Sequence, residues 1–271
     1  MKKVLKKIFI DGFTGMTQGM FVTLIMGTAF VQIGTWIGGY IGAQFIIFGN
    51  IARLLTGAGI GVGVAAMFGA DSLVTVSAAI TGMLGAFHGL GSAALGNSGE
   101  PLGAFIAAYI AIEIGMLISQ KTSFSLILTP FASILSGALV GYFATPYITR
   151  FIYWTVGLAS YNVAASPIIG GIVVAVLFSL FAVMPLNLPA LAMSLGLSGV
   201  AAGAATIGIC CSMVGFAVSG YRDNKLGGVF AHGFGSAVLQ FPNVLKRPLI
   251  LIPSIISSAC LLYTSPSPRD R

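Results

Sequence analysis

The sequence predicts an all-α polytopic membrane protein, and three observations carry that prediction. Of the 271 residues, 57% are hydrophobic and only 7% charged. Soluble domains carry about 25% charged side chains, so this chain lacks the charge to cover a water-facing surface. The mean hydropathy is +1.01, and apolar runs recur at or above the ~20 residues that cross a bilayer as a helix. The 37 glycines fall among other small residues inside those runs, the composition that lets helix backbones approach closely in lipid. Backbone groups in lipid must be paired within the protein, so the spans are helices. The short alternating segments of a membrane barrel are absent from the sequence. Roughly 8–10 membrane segments are expected, some of them broken or re-entrant.

The elements follow in chain order. Lys2, Lys3, Lys6 and Lys7 make a basic, amphipathic entry over residues 1–12. Cytoplasmic flanks are enriched in Lys and Arg, which places the N-terminus inside. No cleavage site follows, and the apolar run is too long for a signal peptide. Residues 16–36 form a first span. Residues 38–70 contain Arg53 and the alternation Gly57-Ala-Gly59-Ile-Gly61-Val-Gly63. A repeat at every second residue does not fit one helical face. It lacks the strand and the Gly-Lys-Ser/Thr ending of a phosphate-binding loop, so close packing is the favoured reading. Residues 73–95 are a span with His88 near its end, and Asp71 is placed to cap it or to lie at the surface. The polar interruption Gly96-Asn97-Ser98-Gly99-Glu100-Pro101 precedes a span over residues 102–119 that carries Glu113. A loop at 121–125, a span at 126–142 and an aromatic element at 145–162 come next. Arg150, Tyr153 and Trp154 give that element the composition of an interface belt. After a span at 166–184, Pro185, Asn187 and Pro189 mark a break. The small-residue run that follows has Gly199 and Gly203 at helical spacing, expected to face another helix. Residues 220–225 read as a charged loop, and 227–239, 242–248 and 249–259 as shorter pieces.

Composition excludes several functions. The net charge of +7 does not point to nucleic acid, because the basic residues precede the first span or lie scattered between spans. Cys210 and Cys211 are adjacent inside an apolar run and face different ways, so they read as packing residues; no metal site and no cofactor is expected. Ionisable and amide groups beside helix breaks are the functional candidates, because polar groups are costly in lipid. His88, Asn97 and Glu100 stand at the first break, and His232, Gln240 and Asn243 at the last. A carboxylate such as Glu100, placed where a half-helix frees backbone groups, can accept hydrogen bonds from two sugar hydroxyls; an exposed loop glutamate is the competing reading. Both histidines sit in similar settings, Gly85-Ala-Phe-His88-Gly and Phe230-Ala-His232-Gly-Phe, a faint echo of the kind an inverted repeat leaves. Glu113 lies on a different helical face from Glu100 and suits a structural hydrogen bond. Arg222, Asp223 and Asn224 read as a solvated loop or as a gating and docking segment.

Four stretches carry a resemblance to a known family. They are Leu191-Ala-Met-Ser-Leu-Gly-Leu-Ser-Gly-Val-Ala-Ala-Gly-Ala-Ala-Thr-Ile-Gly, Met213-Val-Gly-Phe-Ala-Val-Ser-Gly-Tyr-Arg-Asp-Asn-Lys-Leu-Gly-Gly, Gly235-Ser-Ala-Val-Leu-Gln-Phe-Pro-Asn, and Lys121-Thr-Ser-Phe-Ser-Leu-Ile-Leu-Thr-Pro. Together they resemble the PfoR-type enzyme IIC family, the membrane component of a bacterial sugar phosphotransferase system. The likeness runs from about residue 75 to 258, and Arg222-Asp223-Asn224 is its most specific part. It implies a multi-pass protein of the bacterial cell membrane that takes a sugar as substrate and works with cytoplasmic phosphocarrier subunits on separate chains. It also admits a homodimer in the lipid bilayer. Enzyme IIC proteins in general use a Glu and a His near a re-entrant hairpin, which Glu100, Asn97 and His88 resemble in type. A regulator or sensor and an uncoupled small-solute transporter are the alternatives. No phosphoryl-carrying residue of the chain's own is identified. Residues 260–270, Cys-Leu-Leu-Tyr-Thr-Ser-Pro-Ser-Pro-Arg-Asp, match one reading frame of a transposase sequencing adapter. The expectation is therefore an incomplete membrane domain over 1–259 and a non-native tail over 260–271 with no packed role.

Overall fold

The computed structural model describes residues 7–87, 97–119, 124–165, 167–188, 191–192 and 197–264. Among these residues there is no strand. The helices form two compact units, Met1–Arg150 and Phe151–Arg271. The first unit contains α1 (Lys7–Ile37), α2 (Gly39–Leu54), α3 (Thr56–Phe68), α4 (Ser72–Ala86) and α5 (Pro101–Ser119). The unit boundary falls inside α6 (Ser125–Ala165). The second unit contains α7 (Pro167–Phe181), α8 (Gly199–Ser219), α9 (Tyr221–Phe230), α10 (Phe241–Lys246) and α11 (Ile252–Thr264). Among the described residues, four helical segments are long and apolar enough to cross a membrane: α1, α5, Ser125–Trp154 of α6, and α8. The pair α2 and α3, bent by 54°, has that length and apolarity only when taken together, as one broken span or a re-entrant loop, and three shorter apolar helices accompany them. The chain is an all-α polytopic membrane protein.

In the first unit α1 lies antiparallel to α2 and then α3. Gly34 meets Gly42, Gly27 meets Gly49, Gly19 meets Gly59 and Gly15 meets Gly63, each pair so close that a Cβ on one would collide with the backbone of the other. The alternating glycines resolve here. Two residues advance a helix by roughly 200°, and four return to the same face. Gly57 and Gly61 therefore face Gly82 and Ala78 of α4, while Gly59 and Gly63 face Gly19 and Gly15 of α1. The period-two pattern is two interleaved close-packing stripes on opposite sides of one helix. Ile60 and Val64, fully buried, fill the space between. Asp71 caps α4, accepting a hydrogen bond from the Val74 amide at 3.0 Å, the role open to it from sequence. Glu113 pairs with Lys7 at the start of α1, so its role is structural. Lys7 also lies 4.6 Å from the centre of the Phe68 ring.

The two expected elements at 126–142 and 145–162 are one helix. Pro130 and Pro146 lie inside α6, and membrane helices tolerate proline where neighbours satisfy the freed groups. Thr145 bonds across to the Gly85 carbonyl at 3.0 Å.

In the second unit α7, α8 and α11 are joined by serines. The Ser212 hydroxyl donates to the Ser179 carbonyl at 2.6 Å, the two hydroxyls lie 2.8 Å apart, and all of this is buried. Ser179 also reaches the Ser254 carbonyl at 3.5 Å. The expected packing of Gly199 and Gly203 is not found: neither has an atom within 4 Å of the position its Cβ would occupy. The helix begins at Gly199, so these residues occupy its free first turns. Contact falls further along, at Gly208 against Ala175 of α7 and Gly215 against Ser254 of α11. α11 continues to Thr264, with Cys260 and Leu261 exposed.

Candidate functional site

The first polar break is built on the end of α4. Asn97 accepts a hydrogen bond from the Gly99 amide at 3.2 Å, a side-chain turn of the kind Asn favours. Gly99 has φ +63 and is pressed against Ala86, a conformation and a closeness that suit only glycine. The Glu100 amide then donates to the Ala86 carbonyl at 2.9 Å, tying the break to the last turn of α4. The Glu100 carbonyl accepts from Ala104, and Pro101 begins α5 with its ring set for helix entry. Glu100 is half-buried, and burial pushes its carboxyl up to about 7. Asn97 is exposed while Ser98 is buried. The expected partner His88 lies outside the described residues.

The second group belongs to the second unit, and its three residues are brought together. His232 is 5% exposed, in a wide helical turn over Ala231–Gly235. Gln240 Nε2 lies 2.8 Å from His232 Nε2. The amide nitrogen is a donor, so the ring nitrogen accepts, and the ring proton sits on Nδ1. Nδ1 accordingly donates to the Ser236 carbonyl at 3.3 Å. Asn243 Nδ2 donates to Gln240 Oε1 at 2.8 Å, and Asn243 is exposed. A hydrogen-bonded line thus runs from an accessible amide to a buried imidazole. It is set up locally: Ser236 caps the short turn Ala237–Gln240 through the Val238 amide, and Pro242 lies in the first turn of α10. Two amides keep spare donor and acceptor capacity, the inventory that binds hydroxyl groups.

Arg222, Asp223 and Asn224 were expected in a loop. They form the exposed first turn of α9, where the Asp223 and Asn224 amides donate to the Gly220 carbonyl. The turn breaks at Lys225, whose φ of 52 is positive. Among the described residues no group of three or more His, Cys, Asp or Glu side chains is arranged to hold a metal ion.

A family model described as phosphotransferase system, EIIC matches residues 10–264. The chain belongs to that family. Its residues therefore form a membrane component of a sugar phosphotransferase system, acting on a sugar together with the other components of that system. Neither the curated proteins nor the solved structures compared with the EIIC chain give a match. The family was legible in the motifs around Arg222. The serine node and the polar line from Asn243 to His232 needed the fold, because serine and amide side chains give no periodic signal in sequence.

Proposed function

We propose that this EIIC chain is the sugar-translocating subunit of a bacterial phosphoenolpyruvate-dependent system, binding the sugar and presenting it to a separate phosphorylating subunit in the cell membrane. The hydrogen-bonded line Asn243–Gln240–His232 is the observation that supports the reading most. A sugar shedding water needs a partner for each hydroxyl, and these side chains offer several in one place. Glu100 and Asn97, beside the other helix break, are the proposed acceptor and orienting residue from the first unit. His88 is proposed with them from sequence. Arg222, Asp223 and Asn224, exposed ahead of a kink, are the proposed docking or gating segment.

Uptake into right-side-out membrane vesicles tests this. Radiolabelled sugars are offered with and without internal phosphoenolpyruvate and the soluble phosphocarrier fraction. Accumulation of sugar phosphate that requires both supports the reading. Equal uptake without them makes the chain an uncoupled transporter. Loss of gene regulation without any loss of sugar uptake, in a strain lacking the chain, makes it a regulator of the PfoR type.

A further inference from the structure

Arg53 is the single charged residue between Asp11 and Asp71, and it sits at a joint that two elements share. The register of the glycine pairs places Phe21–Ile25 of α1 between the Gly27–Gly49 and Gly19–Gly59 contacts. That stretch is wound as a π-helix, a feature frequent at functional sites. Opposite it the partner arm of the helical hairpin breaks at Leu55, between α2 and α3, with a bend of 54°. Both helices thus depart from regular winding at one level. Arg53, in the last turn of α2, is at that level.

Its side chain is built into the joint. A Cβ added to Gly27 would lie 2.9 Å from Arg53 Cγ, so the arginine stem crosses α1 in the notch this glycine leaves. Arg53 Nε is buried and has no hydrogen-bond partner. Asp11, Asp71, Glu100 and Glu113 are the acidic residues of the first unit, and none pairs with it; the one ion pair among the described residues is Lys7 with Glu113. A buried, unpaired guanidinium edge is costly, and an ionisable group within a membrane segment marks a site by default.

We propose that Arg53 binds a phosphate group at this joint. A guanidinium presents a planar fork of donors that matches phosphate oxygens two at a time. Position favours phosphate as the anion. The Gly38 turn carries Trp36 and Tyr40, 77% and 80% exposed, the aromatic pair of an interface belt. Arg53 lies roughly 21 Å along α2 from that turn at 1.5 Å per residue. About 9 Å of the ~30 Å hydrocarbon layer then remain to the opposite interface, a distance a long basic side chain and a phosphate can share by snorkelling. The flank is apolar and open, with Phe48, Ile51 and Leu55 each at least 44% exposed. The same chemistry is offered by a lipid headgroup and by a soluble phosphate ester. The inference stands apart from the sugar reading, since Arg53 belongs to neither polar group assigned to the sugar.

The experiment reads thermal unfolding of the purified full chain in nanodiscs. One set is digalactosyldiacylglycerol alone, which carries no phosphate, one contains one part in three phosphatidylglycerol, and one is digalactosyldiacylglycerol titrated with inorganic phosphate. The wild type is expected to unfold several degrees higher with one phosphate source. A rise with phosphatidylglycerol assigns the site to lipid, and a rise with inorganic phosphate assigns it to a soluble ester. Arg53→Gln loses the rise, whereas Arg150→Gln, at an exposed position of α6, keeps it. Arg53→Lys preserves the stem over Gly27 and the charge, and secures the test if the Gln variant fails to fold; it needs a several-fold higher phosphate or anionic-lipid content for the same rise. No rise in the wild type with either source, or an undiminished rise in both Arg53 variants, overturns the proposal.

Discussion

The clearest test of the packing compares two glycine-to-alanine changes that differ only in what the new methyl meets. At Gly57 a Cβ would stand 2.5 Å from the Gly82 carbonyl oxygen, and 3.0 Å from Ala86 Cβ. Ordinary contact begins at 3.4 Å, so the methyl is about 0.9 Å too close to a rigid backbone. Overpacking of this kind costs about 1–3 kcal/mol. Both changes also gain about 0.8–1.0 kcal/mol from replacing glycine inside a helix. At Gly203 nothing lies within 4 Å, so the gain stands alone there. The propensity term cancels in the comparison, and Gly203→Ala should exceed Gly57→Ala in stability by about 1–3 kcal/mol. Unfolding by sodium dodecyl sulfate in mixed micelles, followed by circular dichroism, measures the difference. Equal midpoints for the two variants would refute the assignment of Gly57 to a tight contact and Gly203 to open space.

Three sites give further expected outcomes. Glu100→Gln keeps the fold and weakens sugar binding, read by equilibrium dialysis, because a charge-assisted hydrogen bond is roughly twice as strong as a neutral one. The Glu100 carboxyl is raised from 4.5 to about 7 in the folded chain, so the folded state holds the proton more tightly. Its contribution is full below pH 4.5 and is lost as pH rises through 7; melting curves across that window should flatten in Glu100→Gln. Gln240→Leu leaves His232 Nε2 buried without its donor, and should cost about 1–3 kcal/mol in the unfolding midpoint, whereas Asn243→Ala, at the exposed end, should cost little stability and still impair sugar binding. A double-mutant cycle on Lys7→Met and Glu113→Gln should give a coupling of about 0.2–1 kcal/mol, since both side chains are about one-third exposed; a coupling several times larger would mean the pair is sealed from water.

The sequence was most informative where a physical constraint leaves few alternatives. Sparse charge in a long apolar chain admits a helical membrane fold, and the span expected over 102–119 is α5, which begins one residue earlier at Pro101. Asp71 ahead of an apolar run reads as a cap or a surface residue, and the fold gives it the cap. The alternating glycines were legible as packing but not as two faces, because one of the two partners, α1, is separated from α3 in sequence by the whole of α2. Gly199 and Gly203 misled for the related reason that small-residue spacing shows which helix can approach closely, not whether one does. The aromatic cluster at 145–162 suggested a separate element, but the helix runs on through Pro146 as part of α6. In the candidate site, His232, Gln240 and Asn243 were grouped from their place near Pro242, and the fold adds the direction of their hydrogen bonds. The break at Lys225 left no mark in sequence, because positive φ at a lysine is set by surroundings.

The buried serines have a consequence for the order in which the second unit is made. Ser179 and Ser212 can bond as soon as α7 and α8 are in the membrane, since neither needs anything later in the chain. The contacts of Gly215 and Ser179 with Ser254 must wait until α11 is synthesised. At a translation rate of roughly 5–20 residues per second, two helices stand paired for seconds before the third arrives, with the notch at Gly215 still empty. A chain interrupted between α8 and α11 would hold a half-built serine node facing lipid. Such a surface is one that the quality-control proteases of a membrane could distinguish from the finished unit.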